Sequence, residues 1–155
     1  MEQRAEAKVS GSNLPVSTKH SVAIASFIRG KQVNKALALL EQVTIEKVAV
    51  PYKRFNRDVG HRPGHVGPGR YPFKASKAVI MLLKSLVANA QQKGLDINNL
   101  YIQHMTANVG ARPFRYGRHR RIKAKQTNID IVAVQRKETR TKPVKVQAVK
   151  EAKKQ

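Results

Sequence analysis

Apolar residues recur at helical spacing in the first third of the chain. One such segment runs from Thr18 to Arg29, with Ser17 as a plausible N-cap and Gly30 as a stop. A second follows a possible cap at Asn34 and continues to about Ile45. The pattern predicts two helices joined by a short turn.

A longer helix and two strands are predicted further along the chain. Ala75 to Lys93 carries a continuous apolar stripe at helical spacing, and Gly94 follows as a C-terminal stop. The run Leu100 to Val109 is typical of a strand, and Thr127 to Val134 alternates apolar and other positions with a period of two. We predict that these two runs are the arms of one antiparallel hairpin, at about residues 100–134.

The two ends of the chain show no folding pattern. Residues 1–14 are polar and aperiodic, which predicts a flexible or partner-ordered leader, with the fold starting after Pro15. Residues 136–155 are rich in lysine and arginine and hold only alanine, valine and proline as apolar residues, which predicts a basic tail without structure of its own. A single domain over residues 15–135 remains.

The segment 51–73, called the insert below, interrupts the helical pattern. It contains four prolines, four glycines, five basic residues and one acid, so we predict no regular element there. Aromatic residues interleave with the basic ones, which suits a segment that orders against RNA phosphates and exposed bases. The alternative is a solvated basic loop whose aromatics pack back onto the core.

The connection between the two predicted strands is long and strongly basic. Residues 111–125 hold seven lysines and arginines and no acid, whereas common hairpin loops have only about two to five residues. The connection is therefore either an extended hairpin that projects from the domain or a floppy loop. An isolated two-stranded projection is marginal in water, but surrounding RNA would stabilise it.

The overall charge indicates a polyanionic partner. Lysine and arginine total 31 against 9 acids, giving a net charge of +22 and a pI near 11. Nucleic acid suits basic residues spread over loops and ends alike. An acidic membrane surface is the competing partner, but no lipidation or spanning signal is evident, so membrane insertion is not expected. The chain has no cysteine, which suits a reducing cytosol and excludes thiolate chemistry.

Enzymatic sites are not evident in the sequence. His61 and His65 lack further metal ligands nearby, and Gly67-Pro68-Gly69 lacks the ending of a phosphate-binding loop. His20, on the apolar face of the first helix, is better explained as a half-buried packing residue than as a general base. We therefore predict no enzyme, no cofactor and no metal.

The order of several motifs resembles the universal large-subunit ribosomal protein L22 family. The matching pieces are Val16-Ser17-Thr18-Lys19-His20, Phe27-Ile28-Arg29-Gly30-Lys31, Asn34-Lys35-Ala36-Leu37, Ala88-Asn89-Ala90 to Lys93-Gly94-Leu95-Asp96, and Gln126-Thr127-Asn128-Ile129-Asp130-Ile131. Within the insert, Val59-Gly60-His61-Arg62 and Gly67-Pro68-Gly69-Arg70-Tyr71-Pro72 are similar to a segment of archaeal and eukaryotic members.

This resemblance implies a small α+β domain with helices, an antiparallel sheet and a long protruding β-hairpin. It also implies a structural constituent of the cytoplasmic large ribosomal subunit, with ribosomal RNA and neighbouring ribosomal proteins as partners and a role in subunit assembly and translation. The hairpin would line the polypeptide exit tunnel and meet the nascent polypeptide. The tip residues expected to line the tunnel are Arg112, Pro113, Phe114, Arg115 and Tyr116.

Candidate RNA-contacting residues come from the insert and the hairpin. They are Lys53, Arg54, Arg57, Arg62, Arg70, Arg112, Arg115, Arg118, Arg120, Arg121, Lys123 and Lys125. A generic basic protein that compacts DNA or RNA is the alternative function, because it would share the charge but show no preference for ribosomal RNA.

Overall fold

The computed structural model describes residues 6–136, which form an α+β fold, the class expected from the resemblance. In chain order the elements are β1 (Glu6–Leu14), α1 (Thr18–Ile28), α2 (Val33–Thr44), β2 (Val50–Pro51), β3 (His61–Arg62), β4 (Gly67–Arg70), α3 (Phe73–Gln92), β5 (Leu100–Val109) and β6 (Thr127–Gln135). Short 3-10 turns occupy Ile97–Asn99 and Gly117–His119. Residues 1–5 of the predicted leader, and residues 137–155 of the predicted tail, lie outside the described residues.

The main sheet is antiparallel and has the order β1-β6-β5. The predicted pairing of the two arms is confirmed, with a register that runs from Leu100 opposite Gln135 to Val109 opposite Thr127. Ile129, Ile131 and Ala133 of the central strand are fully buried, which is what their period of two predicted. One face of the sheet therefore forms part of the core.

The prediction of a flexible leader over residues 1–14 is wrong for Glu6–Leu14. This segment pairs with β6 in antiparallel register from Glu6 opposite Val134 to Leu14 opposite Thr127, with a bulge after Gly11. Ala7 and Gly11 are buried, whereas Lys8 and Ser10 between them are exposed. The pairing energy comes from a partner more than a hundred residues away, so the domain begins before Pro15.

The three helices cover the buried face of the sheet, with α1 packed on β5, α3 on β1 and α2 on α3. Helix α1 begins after Ser17, as predicted, and Gly30 follows it with φ +79°. The predicted cap at Asn34 is wrong, because Gln32 is the N-cap residue of α2 and Val33 is already buried in the core. Helix α3 begins two residues earlier than predicted, at Phe73.

Both outer edges of the main sheet are covered by other parts of the chain. On β1, Asn89 Nδ2 and Lys93 Nζ from α3 donate to the carbonyl oxygens of Lys8 and Glu6, at 3.0 and 2.9 Å. On β5, the turn after α1 supplies a backbone pair, since Gly30 N donates to Ile102 O and Ile102 N donates to Lys31 O. These contacts satisfy peptide groups that an edge strand otherwise leaves free.

The insert contains short regular pieces that its composition argued against. Strands β2, β4 and β3 form a small second sheet in that order, with Val50 opposite Arg70 and His61 opposite Pro68. Gly69 is buried there. A Cβ at this position would lie within 3.3 Å of the side chains of Arg62, Val66 and Ala49. Glycine thus allows the strands of the insert to approach each other.

Candidate nucleic-acid interface

The hairpin continues as hydrogen-bonded backbone beyond the main sheet. Gly110 N donates to Gln126 O at 3.0 Å, Ala124 N to Pro113 O at 2.9 Å, and Arg115 N to Ile122 O at 2.9 Å. The chain then reverses through the 3-10 turn Gly117–His119, in which Gly117 has φ +64°. Of the two alternatives left by the sequence, this geometry matches the extended hairpin and not the floppy loop.

The neck of the hairpin, where its arms leave the sheet at Gly110 and Gln126, is joined to the end of β1. Asn13 N donates to Asn128 Oδ1 at 2.8 Å, and Ala111 N donates to Asn13 Oδ1 at 3.3 Å. Asn13 adopts φ +51°, a left-handed conformation that asparagine tolerates better than most residues. The strand that sequence analysis missed therefore helps to fix the direction of the hairpin.

Basic side chains of the hairpin face solvent, and none of them pairs with an acid of the described residues. Every residue from Ala111 to Lys123 is exposed, and none of the residues between the two arms is an acid. Within residues 6–136 the structure gives one ion pair, Lys8 with Glu6 at 3.1 Å, far along the chain from the hairpin. The exposed, acid-free set is Arg112, Arg115, Arg118, Arg120, Arg121, Lys123 and Lys125.

The hairpin turn lies further along the chain than the predicted tip. Phe114 opposes Lys123 in a bridge, so Pro113 and Phe114 belong to the outgoing arm. Arg112 is closer still to the domain, because it lines a cleft beside the first turn of α1. Tyr116, which is 95% exposed, adjoins the turn, whereas Arg112, Pro113, Phe114 and Arg115 lie on the outgoing arm, and their contact with the tunnel stays a prediction.

The insert presents cations held over aromatic rings. Lys19 Nζ and the Arg54 guanidinium lie 5.2 and 5.3 Å from the centre of the Phe55 ring, and Arg62 lies 5.1 Å from that of Tyr71. Half of the Phe55 side chain remains exposed. Cation–π contacts of this kind hold the cations near surfaces on which bases could stack.

Aromatic packing onto the core, the alternative raised for the insert, applies to Tyr52. Its ring is buried and meets His20 edge to face, with 5.9 Å between ring centres. Burial raises the pKa of Tyr52 to about 12, and the pKa of His20 is lowered by burial and by the positive charges of Arg70 and Lys125. His20 is half-buried, as predicted, and stands in a positive electrostatic field.

The remaining candidates of the insert are exposed, namely Lys53, Arg54, Arg57, Arg62 and Arg70. Arg70 Nη2 donates to Asp58 O at 3.2 Å, and Arg62 Nε donates to Gly69 O at 3.3 Å, which orients two of these side chains. Lys19 was missed by sequence analysis, because it lies on a helix and approaches the insert only in the folded chain. Its position between Phe55 and the hairpin neck depends on tertiary packing.

Among residues 6–136, no group of three histidine, aspartate or glutamate side chains could hold a metal ion. In the same residues, no helix is long and apolar enough to cross a bilayer.

A mixed domain that projects an acid-free basic hairpin beside a basic and aromatic insert defines a class, that of basic nucleic-acid-binding proteins. The family model described as Ribosomal protein L22p/L17e matches residues 9–134, and the chain belongs to this family.

Relatives from archaea extend this result. The chain is 49% identical over 107 residues to large ribosomal subunit protein uL22 of Methanoregula boonei, covering 67% of this chain and 70% of the relative. It is 42% identical over 136 residues to the uL22 protein of Methanoculleus marisnigri, covering 83% and 89%. The uL22 protein of Archaeoglobus fulgidus is 46% identical over 112 residues, covering 71% and 72%. The archaeal or eukaryotic character expected from the insert agrees with these archaeal relatives.

Proposed function

We propose that this chain is a structural constituent of the cytoplasmic large ribosomal subunit, where it binds ribosomal RNA and contributes to subunit assembly and translation. It acts by binding and not by catalysis, in keeping with a family of ribosomal proteins. Its partners are large-subunit ribosomal RNA and the neighbouring ribosomal proteins.

The observation that carries this proposal is the ordered hairpin with its uncompensated charge. Backbone hydrogen bonds reach Arg115 and Ile122, so the basic side chains project from a paired scaffold. RNA that surrounds the hairpin needs to order little of the backbone, which reduces the entropic cost of binding. The cations displace counterions along the folded RNA, and the helical core fixes their geometry.

Shape is the main source of specificity in this mechanism. A-form RNA hides its major-groove base edges from side chains, so basic residues meet phosphates and 2′-hydroxyls. The exposed rings of Phe55, Phe114 and Tyr116 can stack on unpaired bases. RNA loops and junctions of defined shape are therefore the preferred ligands.

The hairpin turn also provides a place for contact with the nascent polypeptide. In the proposed arrangement the hairpin reaches the exit tunnel, and the turn around Gly117–His119 lines it together with Tyr116 and Arg118. Tyr116 is almost fully exposed, so its ring is available to the tunnel or to RNA. Arg112 instead serves RNA binding near the domain.

A tagged copy of the full chain, expressed in its own cells and followed through a sucrose gradient in moderate salt, tests this function. We expect it to migrate with large subunits and intact ribosomes. A variant with Arg120 and Arg121 changed to glutamate should shift toward the free fractions, while a matched one with Lys47 and Lys84 changed to glutamate should not. Tag found only as free protein or on chromosomal DNA would instead favour the generic compacting protein.

A further inference from the structure

A cleft separates the first turn of α1 from the hairpin neck. It has a volume of about 250 Å³ and is lined by Ser17, Thr18 and Lys19 on the domain side and by Arg112 and residues 123–126 on the hairpin side. A water molecule takes up roughly 30 Å³ in the liquid, so the space suits a phosphate group with part of its sugar.

Among the described residues, four cations and no acid line this cleft. They are Lys19 on one wall and Arg112, Lys123 and Lys125 on the other. Lys125 lies near enough to His20 to lower its pKa, together with burial and Arg70, so the positive field extends behind α1. Like charges on facing walls repel each other, and the attraction of both walls to an anion between them would offset that repulsion.

Two of the four cations are held in position by aromatic rings. Lys19 Nζ lies 5.2 Å from the centre of the Phe55 ring, and Lys123 Nζ lies 4.9 Å from that of Phe114. These rings belong to the insert and to the outgoing arm, so three separate parts of the chain place charge around the cleft. Preorganised cations lose less side-chain freedom on binding an anion.

Thr18, which lines the cleft, is hydrogen-bonded to the buried hydroxyl of Thr127. Thr127 Oγ1 donates to Val16 O at 3.0 Å and lies 2.9 Å from Thr18 Oγ1. Thr127 has a single hydroxyl hydrogen, and it is used in the bond to the Val16 carbonyl oxygen. The Thr18 hydroxyl must therefore be the donor in its hydrogen bond with Thr127. The hydroxyl donor of Thr18 is thereby used, and an anion in the cleft would be held by the basic side chains.

We propose that this cleft binds one backbone phosphate of RNA, and that the bound phosphate bridges Lys19 to Lys125 and fixes the angle between the hairpin and the domain. The inference rests on the proposed function and adds to it a defined site with a mechanical role. Phosphates elsewhere on the hairpin add affinity, whereas this one couples the domain to its projection.

Distance measurement by paired spin labels tests the proposal. The natural chain has no cysteine, so Ala38→Cys on α2 and Tyr116→Cys beside the turn give two unambiguous labels on exposed positions. Inorganic phosphate, titrated at constant ionic strength with chloride as the replaced anion, should narrow the distribution of label distances. In Lys19→Gln/Lys125→Gln, the phosphate concentration needed for this effect should rise about tenfold or more.

A matched control pair, Lys47→Gln/Lys84→Gln, removes the same charge from exposed lysines outside the cleft. With phosphate, the distribution of label distances in this control pair should narrow as it does in the natural chain. No narrowing in the natural chain, or the same response in both pairs of variants, would overturn the proposal. Binding of the unlabelled variants to large-subunit RNA separates the two hypotheses. If all of them bind and the cleft pair behaves like the control pair, the inference fails and the proposed function stands.

If the natural chain itself does not bind large-subunit RNA, the proposed function fails. A phosphate effect without RNA binding would overturn the assignment of RNA as the occupant. The binding constant K for large-subunit RNA decreases as salt rises. For the cleft pair, we expect the magnitude of the slope of log K against log salt concentration to be smaller by about one than for the control pair.

Discussion

A methyl group added to Gly110 tests whether the end of β1 fixes the hairpin neck. The new Cβ would lie 2.9 Å from Asn13 Oδ1, 3.1 Å from Asn128 Oδ1 and 3.2 Å from the carbonyl carbon of Gln126. Because the first distance is shorter than any normal contact, the Asn13 side chain must move and lose its bond from Ala111 N. The backbone angle of Gly110 is not left-handed, so the steric contact is the cause of any effect.

The expected cost follows from these contacts. The two nearest atoms are the ends of asparagine side chains that can turn away, so the steric cost lies at the lower end of the roughly 1 to 3 kcal/mol of overpacking. A lost hydrogen bond adds about 1 kcal/mol. A free energy of unfolding lowered by about 2 kcal/mol corresponds to a melting temperature lower by roughly 6 °C, at about 3 °C per kcal/mol for a chain of this size. Differential scanning calorimetry of the full chain measures this change.

Gly60→Ala is the matched control, because a Cβ there meets no atom within 4 Å and the backbone is not left-handed. It should leave stability unchanged or raise it by about 0.4 to 1 kcal/mol. In Gly110→Ala/Asn13→Gly, the obstructing oxygen is gone and glycine accepts the φ of +51°. The double variant should thus lose less stability than the two single variants added together. Equal melting temperatures for Gly110→Ala and Gly60→Ala would refute the reasoning.

Three further predictions concern the core, a buried phenol and the basic surface. Ile131→Ala, at a fully buried centre of β6, should cost about 2 to 5 kcal/mol in urea unfolding. Tyr52 is a buried phenol without a hydrogen-bond partner among residues 6–136, and burial raises its pKa to about 12. Its neutral form therefore stabilises the fold below about pH 10, and this contribution is lost as the pH rises toward 12. Tyr52→Phe should keep the melting temperature of the natural chain at pH 7. Above about pH 10 its melting temperature should decrease less than that of the natural chain. Arg120→Glu with Arg121→Glu should weaken binding to large-subunit RNA more than Lys153→Glu with Lys154→Glu, as measured by filter binding across salt concentrations.

Local patterns were sufficient to predict the three helices and the two arms of the hairpin. The periods of apolar residues extend over ten or more positions there, and Gly30 and Gly94 mark helix ends with positive φ. The alternation in Thr127 to Val134 also predicted the buried face of β6. These elements carry their own signal because each must bury one continuous face.

Elements that depend on distant partners were missed. In β1 the inward positions are Ala7, Val9 and Gly11, and their alternation is only a weak signal for a strand. The segment forms a strand because it pairs with β6. The two-residue strands of the insert arise from bonds such as Tyr52 N to Pro68 O, which no local pattern encodes. The same holds for the site, because charge composition indicated the basic residues of the hairpin but not Lys19 or the position of Arg112 beside it.

The side chains that cover the edges of the main sheet have a consequence for the free protein before it reaches its subunit. Asn89 and Lys93 occupy carbonyl oxygens of β1 that a strand from a second molecule would otherwise use. We therefore expect these contacts to hinder the joining of free copies into intermolecular sheets before they bind RNA. Asn89→Ala with Lys93→Ala should remove this protection. Light scattering of the purified chain should then show earlier aggregation than for Lys84→Ala. The contacts that cover the edge of β1 thus matter for the free protein as well as for the protein in the ribosomal subunit.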